Sequence, residues 1–149
     1  MLWDVSTAIF QRKTSKRDYV SDNWYRLANE PEFYGSVEAG RRYVIADDVC
    51  TSGGTMASLR GFIESQGGRV TCMTTLASRD GSHAQISHAE GTLHRFTGVY
   101  GSSIQSVFRE EIGHELDCLT EHEGRFLERC QSVDEFRARV HGARNAPAP

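Results

Sequence analysis

The chain has no long apolar run. Nowhere in its 149 residues does a hydrophobic stretch approach the length that crosses a bilayer, and the N-terminus lacks the apolar core of a secretory signal. It also lacks a strong charge of either sign. A formal net charge of −3 gives no overall attraction to nucleic acid or to an anionic membrane. The four cysteines, Cys50, Cys72, Cys118 and Cys130, include no Cys-x-x-Cys pair. That favours free thiols in a reducing cytoplasm over a disulfide framework. No Gly-x-Ser-x-Gly elbow marks a nucleophilic serine, no Gly-Lys-Ser/Thr marks a Walker A loop, and no internal repeat is visible. What remains is the composition of one ordinary globular domain, long enough to bury a genuine core.

The most informative stretch is residues 43–55. Tyr43, Val44, Ile45 and Ala46 lead into the acidic pair Asp47-Asp48, and Val49-Cys50 then leads into Thr51-Ser52-Gly53-Gly54-Thr55. Beyond it Met56, Leu59, Phe62 and Ile63 recur at the spacing of one helix face, up to Gly67-Gly68. The pattern predicts a buried strand, a tight loop and a helix, with the loop at the carboxyl end of the strand, where open α/β sheets bind ligands.

The loop has the composition of an anion site. Gly53 and Gly54 allow consecutive backbone N–H groups to turn inward, and Thr51, Ser52 and Thr55 add hydroxyl donors at the positive end of the helix. Asp47 and Asp48 would repel phosphate, yet they suit sugar hydroxyls or the water shell of Mg²⁺. Phosphate donors beside hydroxyl acceptors describe a clamp for a ribose 5-phosphate.

Residues 44–55 resemble the 5-phosphoribosyl-1-pyrophosphate (PRPP) motif of type I phosphoribosyltransferases: a hydrophobic strand, an acidic pair, two further residues, then Thr-Ser-Gly-Gly-Thr. The resemblance implies an α/β fold, a parallel sheet of the phosphoribosyltransferase type with extra C-terminal helices, over residues 1–141, followed by a disordered tail over 142–149. It implies a cytoplasmic glycosyltransferase of nucleotide metabolism that passes the phosphoribosyl group from PRPP, with Mg²⁺, to a nitrogen acceptor and releases pyrophosphate. In that reaction Asp47 and Asp48 would be the catalytic pair, supporting the ribose and an oxocarbenium-like transition state. Thr51, Ser52, Gly53, Gly54 and Thr55 would anchor the 5-phosphate. The partners implied are small molecules, with neither nucleic acid nor membrane, and a homodimer is compatible with the same reading. One departure is that no clear pyrophosphate loop precedes Asp47. This points to a family member shortened at its N-terminus, with transfer reduced or lost; the alternative is a non-catalytic module of the same fold that senses PRPP or a nucleotide. The basic cluster Arg12, Lys13, Lys16 and Arg17 is a solvated face, a pyrophosphate substitute or, by the resemblance, the match of the mobile segment that lies between the family's pyrophosphate loop and central strand.

Elsewhere the chain reads as follows. Residues 5–10 predict a short strand, and Ser21 or Asp22 caps a helix through Trp24, Leu27 and Ala28 that Pro31 stops. Residues 33–40 predict a loop or short hairpin, and 69–77 a second buried strand, which closes a parallel βαβ unit. Ser78, Arg79 and Asp80 then fall on the same rim as the loop. Residues 86–99 fit either strand or helix. Ile104, Val107, Phe108 and Ile112 mark a helix ending near Gly113. Thr120-x-x-Glu123 and Ser132-x-x-Glu135 have the form of capping boxes that open two more helices. His114, Cys118, His122 and Cys130 have spacings a metal could use, but without a compact knuckle they do not make a zinc site.

Overall fold

A computed structural model describes residues 8–12, 22–50, 53–78 and 90–146. The elements in order are β1 (Ile9–Gln11), α1 (Asn23–Ala28), β2 (Phe33–Gly35), β3 (Arg42–Cys50), α2 (Gly54–Ser65), β4 (Arg69–Ser78), α3 (Glu90–Tyr100), α4 (Ser103–Ile112), a 3-10 turn (Leu116–Cys118), α5 (Glu121–Leu127) and α6 (Val133–Asn145). No helix among the described residues is long and apolar enough to cross a membrane.

Two small sheets occur among the described residues. β1 and β2 pair antiparallel, while β3 and β4 pair parallel across α2. In β3, Tyr43 and Ile45 are buried and Val44 and Ala46 exposed, the alternation of a strand with one covered face. In β4 the alternation is interrupted. Tyr43 is opposite Val70 but Val44 is opposite Cys72, so Thr71 is an extra residue. Its hydroxyl donates to the Tyr43 carbonyl at 3.1 Å. The irregularity lets Val70 and Met73, three residues apart, both pack against the cluster of Tyr43, Ile45, Met56 and Ile63 beneath α2.

The larger core is helical. Leu27 of α1, Phe96 of α3, Val107 and Phe108 of α4, Phe126 of α5, and Phe136 and Val140 of α6 form one buried cluster, closed by Leu116 and Leu119. Trp24 meets Phe126 edge-on at 5.2 Å and lies beneath the Arg139 guanidinium at 5.3 Å, so α1 is held against α5 and α6. Residues 86–89 lie outside the described residues, and 90–100 form a helix, which decides that part of the ambiguous segment 86–99. Buried Phe96 anchors it, and the Tyr100 hydroxyl donates to the carbonyls of Leu127 (2.9 Å) and Cys130. Burial of that hydroxyl pushes its pKa up to about 12, so it remains a donor.

The caps explain the helix starts. Asp22 accepts from the amides of Trp24 and Tyr25 and opens α1. The Thr120–Glu123 capping box is complete in both directions. At Ser132 only half of the box forms. Ser132 accepts from the Glu135 amide, whereas the Glu135 carboxylate reaches one residue earlier, to the Gln131 amide at 2.7 Å, and is also held by Arg139. The expected tail is also corrected: α6 runs through Gly142 to Asn145, leaving only 147–149 outside the described residues. The expected strand over 5–10 is described from residue 8 on, where β1 covers Ile9–Gln11.

Candidate functional site

β3, α2 and β4 form the strand, helix and parallel strand expected from the sequence. Asp47 and Asp48 both lie inside β3. Successive strand positions point to opposite faces. Asp47 is half-buried on the α2 side, next after Tyr43 and Ile45, and Asp48 is exposed on the other. Each carboxylate accepts a hydrogen bond from the following backbone amide: Asp48 N–H to Asp47 at 2.9 Å, and Val49 N–H to Asp48 at 2.7 Å. The two are therefore not gathered on one side of a ligand.

Thr51 and Ser52 lie outside the described residues. Gly53 is left-handed (φ 83°) and caps α2, Gly54 and Thr55 begin that helix, and both glycines are buried. A Cβ on Gly53 would stand 2.5 Å from Thr120 Cγ2. The missing side chain thus admits the start of α5 against the loop. Of the basic cluster, Arg12 pairs with Glu32 at 3.1 Å, and Lys13, Lys16 and Arg17 lie outside the described residues, as do Arg79 and Asp80.

What the structure does assemble beside the first turns of α2 is a buried polar cluster drawn from four parts of the chain. Glu30, just beyond α1, accepts from Ser58 of α2 and lies 2.9 Å from His114 Nε2. The His114 and Glu30 side chains are only 4% and 6% exposed. The other ring nitrogen, Nδ1, lies 2.9 Å from the Glu115 carbonyl. Both nitrogens thus face oxygen acceptors, which suits the doubly protonated ring. Burial alone would lower the His114 pKa, but Cys118 and Glu30 beside it, with the Glu115 carbonyl, push it up to about 11. Glu123 is buried nearby. Desolvation, and then the charge of Glu30, push its pKa up to about 7, against the hydrogen bonds from Thr120.

Glu30, through Ser58, and Glu123, through Thr120 and Gly53, stand close to the α2 N-terminus. Sequence reasoning missed Glu30, Ser58 and Glu123 as a group, since 93 residues separate the first from the last (123 minus 30). His114 and Cys118 do come together, beside Glu30; the His122 side chain lies outside the described residues, and among those described no group of three or more His, Cys, Asp or Glu side chains has an arrangement that could hold a metal ion. None of the four cysteines is in a disulfide; Cys72 is exposed and the other three are buried.

Comparison with known proteins points in another direction. The chain is 34% identical over 142 residues to protein TraN of Escherichia coli, a match that covers 95% of this chain and 31% of TraN. A shorter stretch of 42 residues is 48% identical to an uncharacterized protein of Haemophilus influenzae, covering 28% of this chain and 9% of that protein. No family profile and no solved structure matches. The chain thus spans about a third of the length of TraN. These findings correct the resemblance drawn from residues 44–55. The similarity that runs through nearly the whole chain is to TraN, so recognition as a shortened type I phosphoribosyltransferase is set aside. With it go the transferase activity, the reaction with PRPP, the place in nucleotide metabolism and the PRPP-sensing alternative. The roles that the resemblance implied for Asp47, Asp48 and residues 51–55 rest on that resemblance alone.

Proposed function

We propose that this chain is a TraN-like module that serves conjugal transfer by binding rather than by catalysis. The observation that carries the reading is the similarity to TraN along 142 residues. A feature of the sheet supports a binding role. Parallel strands are ordinarily covered on both faces, yet in β3 and β4 the face away from α2 leaves Val44 50% and Leu76 91% exposed, with Ala46 and Cys72 beside them. That face is suited to packing against other polypeptide.

The test is a segment exchange in an E. coli donor that relies on TraN. Deleting the matched segment should reduce plasmid transfer to background, and inserting this chain in its place should restore transfer, with protein levels followed by immunoblot. Unchanged transfer after the deletion would remove the reading. So would failure of this chain to restore transfer when the hybrid protein accumulates at the normal level.

A further inference from the structure

The face of β3 and β4 turned away from α2 is apolar along its middle and charged at its ends. In the middle Val44 stands beside Cys72 and Ala46 beside Thr74, all four exposed. Arg42 and Arg69 lie side by side where the two strands begin. Asp48 projects from the same face of β3 toward its other end, since alternate strand positions share a face. Arg42, Arg69 and Asp48 are exposed as well, and among the described residues none of the three is in an ion pair. The Asp48 carboxylate accepts from the Val49 N–H at 2.7 Å, a contact that leaves its charge uncompensated.

Such a face calls for a cover that is apolar in the middle, acidic against the two arginines and basic against Asp48. The face itself, inverted, meets that description. A two-fold axis lying between two such sheets, across the strands at the level of Ile45, runs β3 antiparallel to the β3 of a second copy. Arg42 then meets Asp48 of the second copy, Val44 meets Ala46, and both contacts occur twice, as an isologous interface requires. We propose that the chain pairs with a second copy of itself through this face, in that antiparallel register, with Arg42 of each copy on Asp48 of the other. The proposal rests on reading the face as a packing surface and names what packs there. A face two strands wide is smaller than that of a permanent dimer, so the pair is weak and reversible.

Sedimentation of the full chain over about 10 µM to 1 mM should show monomer passing reversibly into dimer. Asp48→Arg sets a cation against Arg42 and Arg69 of the second copy, and Arg42→Glu sets an acid against Asp48. Each should weaken association at least about tenfold, because like charges are brought together. An equal mixture of the two variants should associate about as well as the unaltered chain, since every cross-pair again joins unlike charges. Cys72 reports the face directly, being exposed where the other three cysteines are buried, and its alkylation should slow as dimer forms. Should a variant not fold, that protection in the unaltered chain decides alone. A chain that stays monomeric to about 1 mM, a dimer that leaves Cys72 equally reactive, or a dimer indifferent to both reversals would overturn the proposal. The segment exchange in the donor is read separately, so the TraN-like reading would stand after such a failure.

Discussion

Glu30 and His114, 84 residues apart in sequence, meet at 2.9 Å with both side chains almost wholly buried. The contact ties the end of α1 to the segment that follows α4, and Ser58 brings α2 to the same carboxylate. Gly61 makes room for it, since a Cβ there would lie 2.3 Å from His114 Cβ. Three helical regions thus converge on one ion pair beside the first turns of α2.

The pair and its neighbour Glu123 set an expected pH dependence. The folded-state pKa of His114 is raised from 6.5 to about 11, so its contribution is complete below about 6.5 and is lost as pH rises toward 11. That of Glu123 is raised from 4.5 to about 7, so its contribution is complete below about 4.5 and is lost as pH rises through 7. Both have the same sign, and stability should fall from pH 5 to pH 9. Thermal melts across that window measure it. A melting temperature that climbs toward pH 9 would contradict the assignment, and Glu123→Gln should flatten the part of the curve below pH 8.

Replacing Gly53 tests the packing of the loop on α5. Gly53→Ala places a Cβ in the left-handed region and against Thr120, and should cost about 1–3 kcal/mol. In a Thr120→Ser background the cap oxygen remains while the obstructing methyl is gone, so part of the loss should return. Urea unfolding of the double-mutant cycle reads the coupling. Strict additivity would show that the two residues do not touch.

Glycines inside the helices separate intrinsic propensity from packing. Gly98 in α3 and Gly142 in α6 face open space, with nothing within 4 Å of an added Cβ. Alanine at either should therefore stabilise by about 0.5–1 kcal/mol. Gly61→Ala in α2 gains the same propensity but drives a methyl into His114, and the net effect should be destabilising. Three melting curves decide it; a stabilised Gly61→Ala would mean that α2 and His114 separate easily.

Glu111 of α4 gathers three basic side chains of α6. His141 lies at 3.0 Å, Arg144 at 3.2 Å and Arg137 at 3.5 Å, around a carboxylate that is 9% exposed. Glu111→Ala should cost about 1–3 kcal/mol, since it removes charge-assisted bonds and leaves Arg137 and Arg144 without that carboxylate between them. The two arginines are partly exposed, so added NaCl should screen both effects and narrow the gap between wild type and variant. Urea titrations at low and high salt measure that gap. One that is unaffected by salt would assign the role of Glu111 to packing.

Local patterns were legible in the residues alone. The run into Asp47, the apolar spacing through Ile63 and the β-branched stretch from Arg69 give β3, α2 and β4, and Asp22, Thr120 and Ser132 open their helices as capping chemistry requires. Such signals depend on neighbours within one or two turns, and a sequence carries them directly. The α3 segment was not legible, because burial of Phe96 and the reach of Tyr100 to the end of α5 decide it. Residues 53–54 show the same limit. Gly-Gly beside hydroxyls is compatible with a phosphate cradle and also with the close approach of another helix, and the position of Thr120 against Gly53 is tertiary information that local pattern does not carry. Glu30, Ser58, His114 and Glu123 have no spacing in common and no local pattern. Their meeting depends on how α1, α2, α4 and α5 pack, and tertiary structure alone brings those charges together.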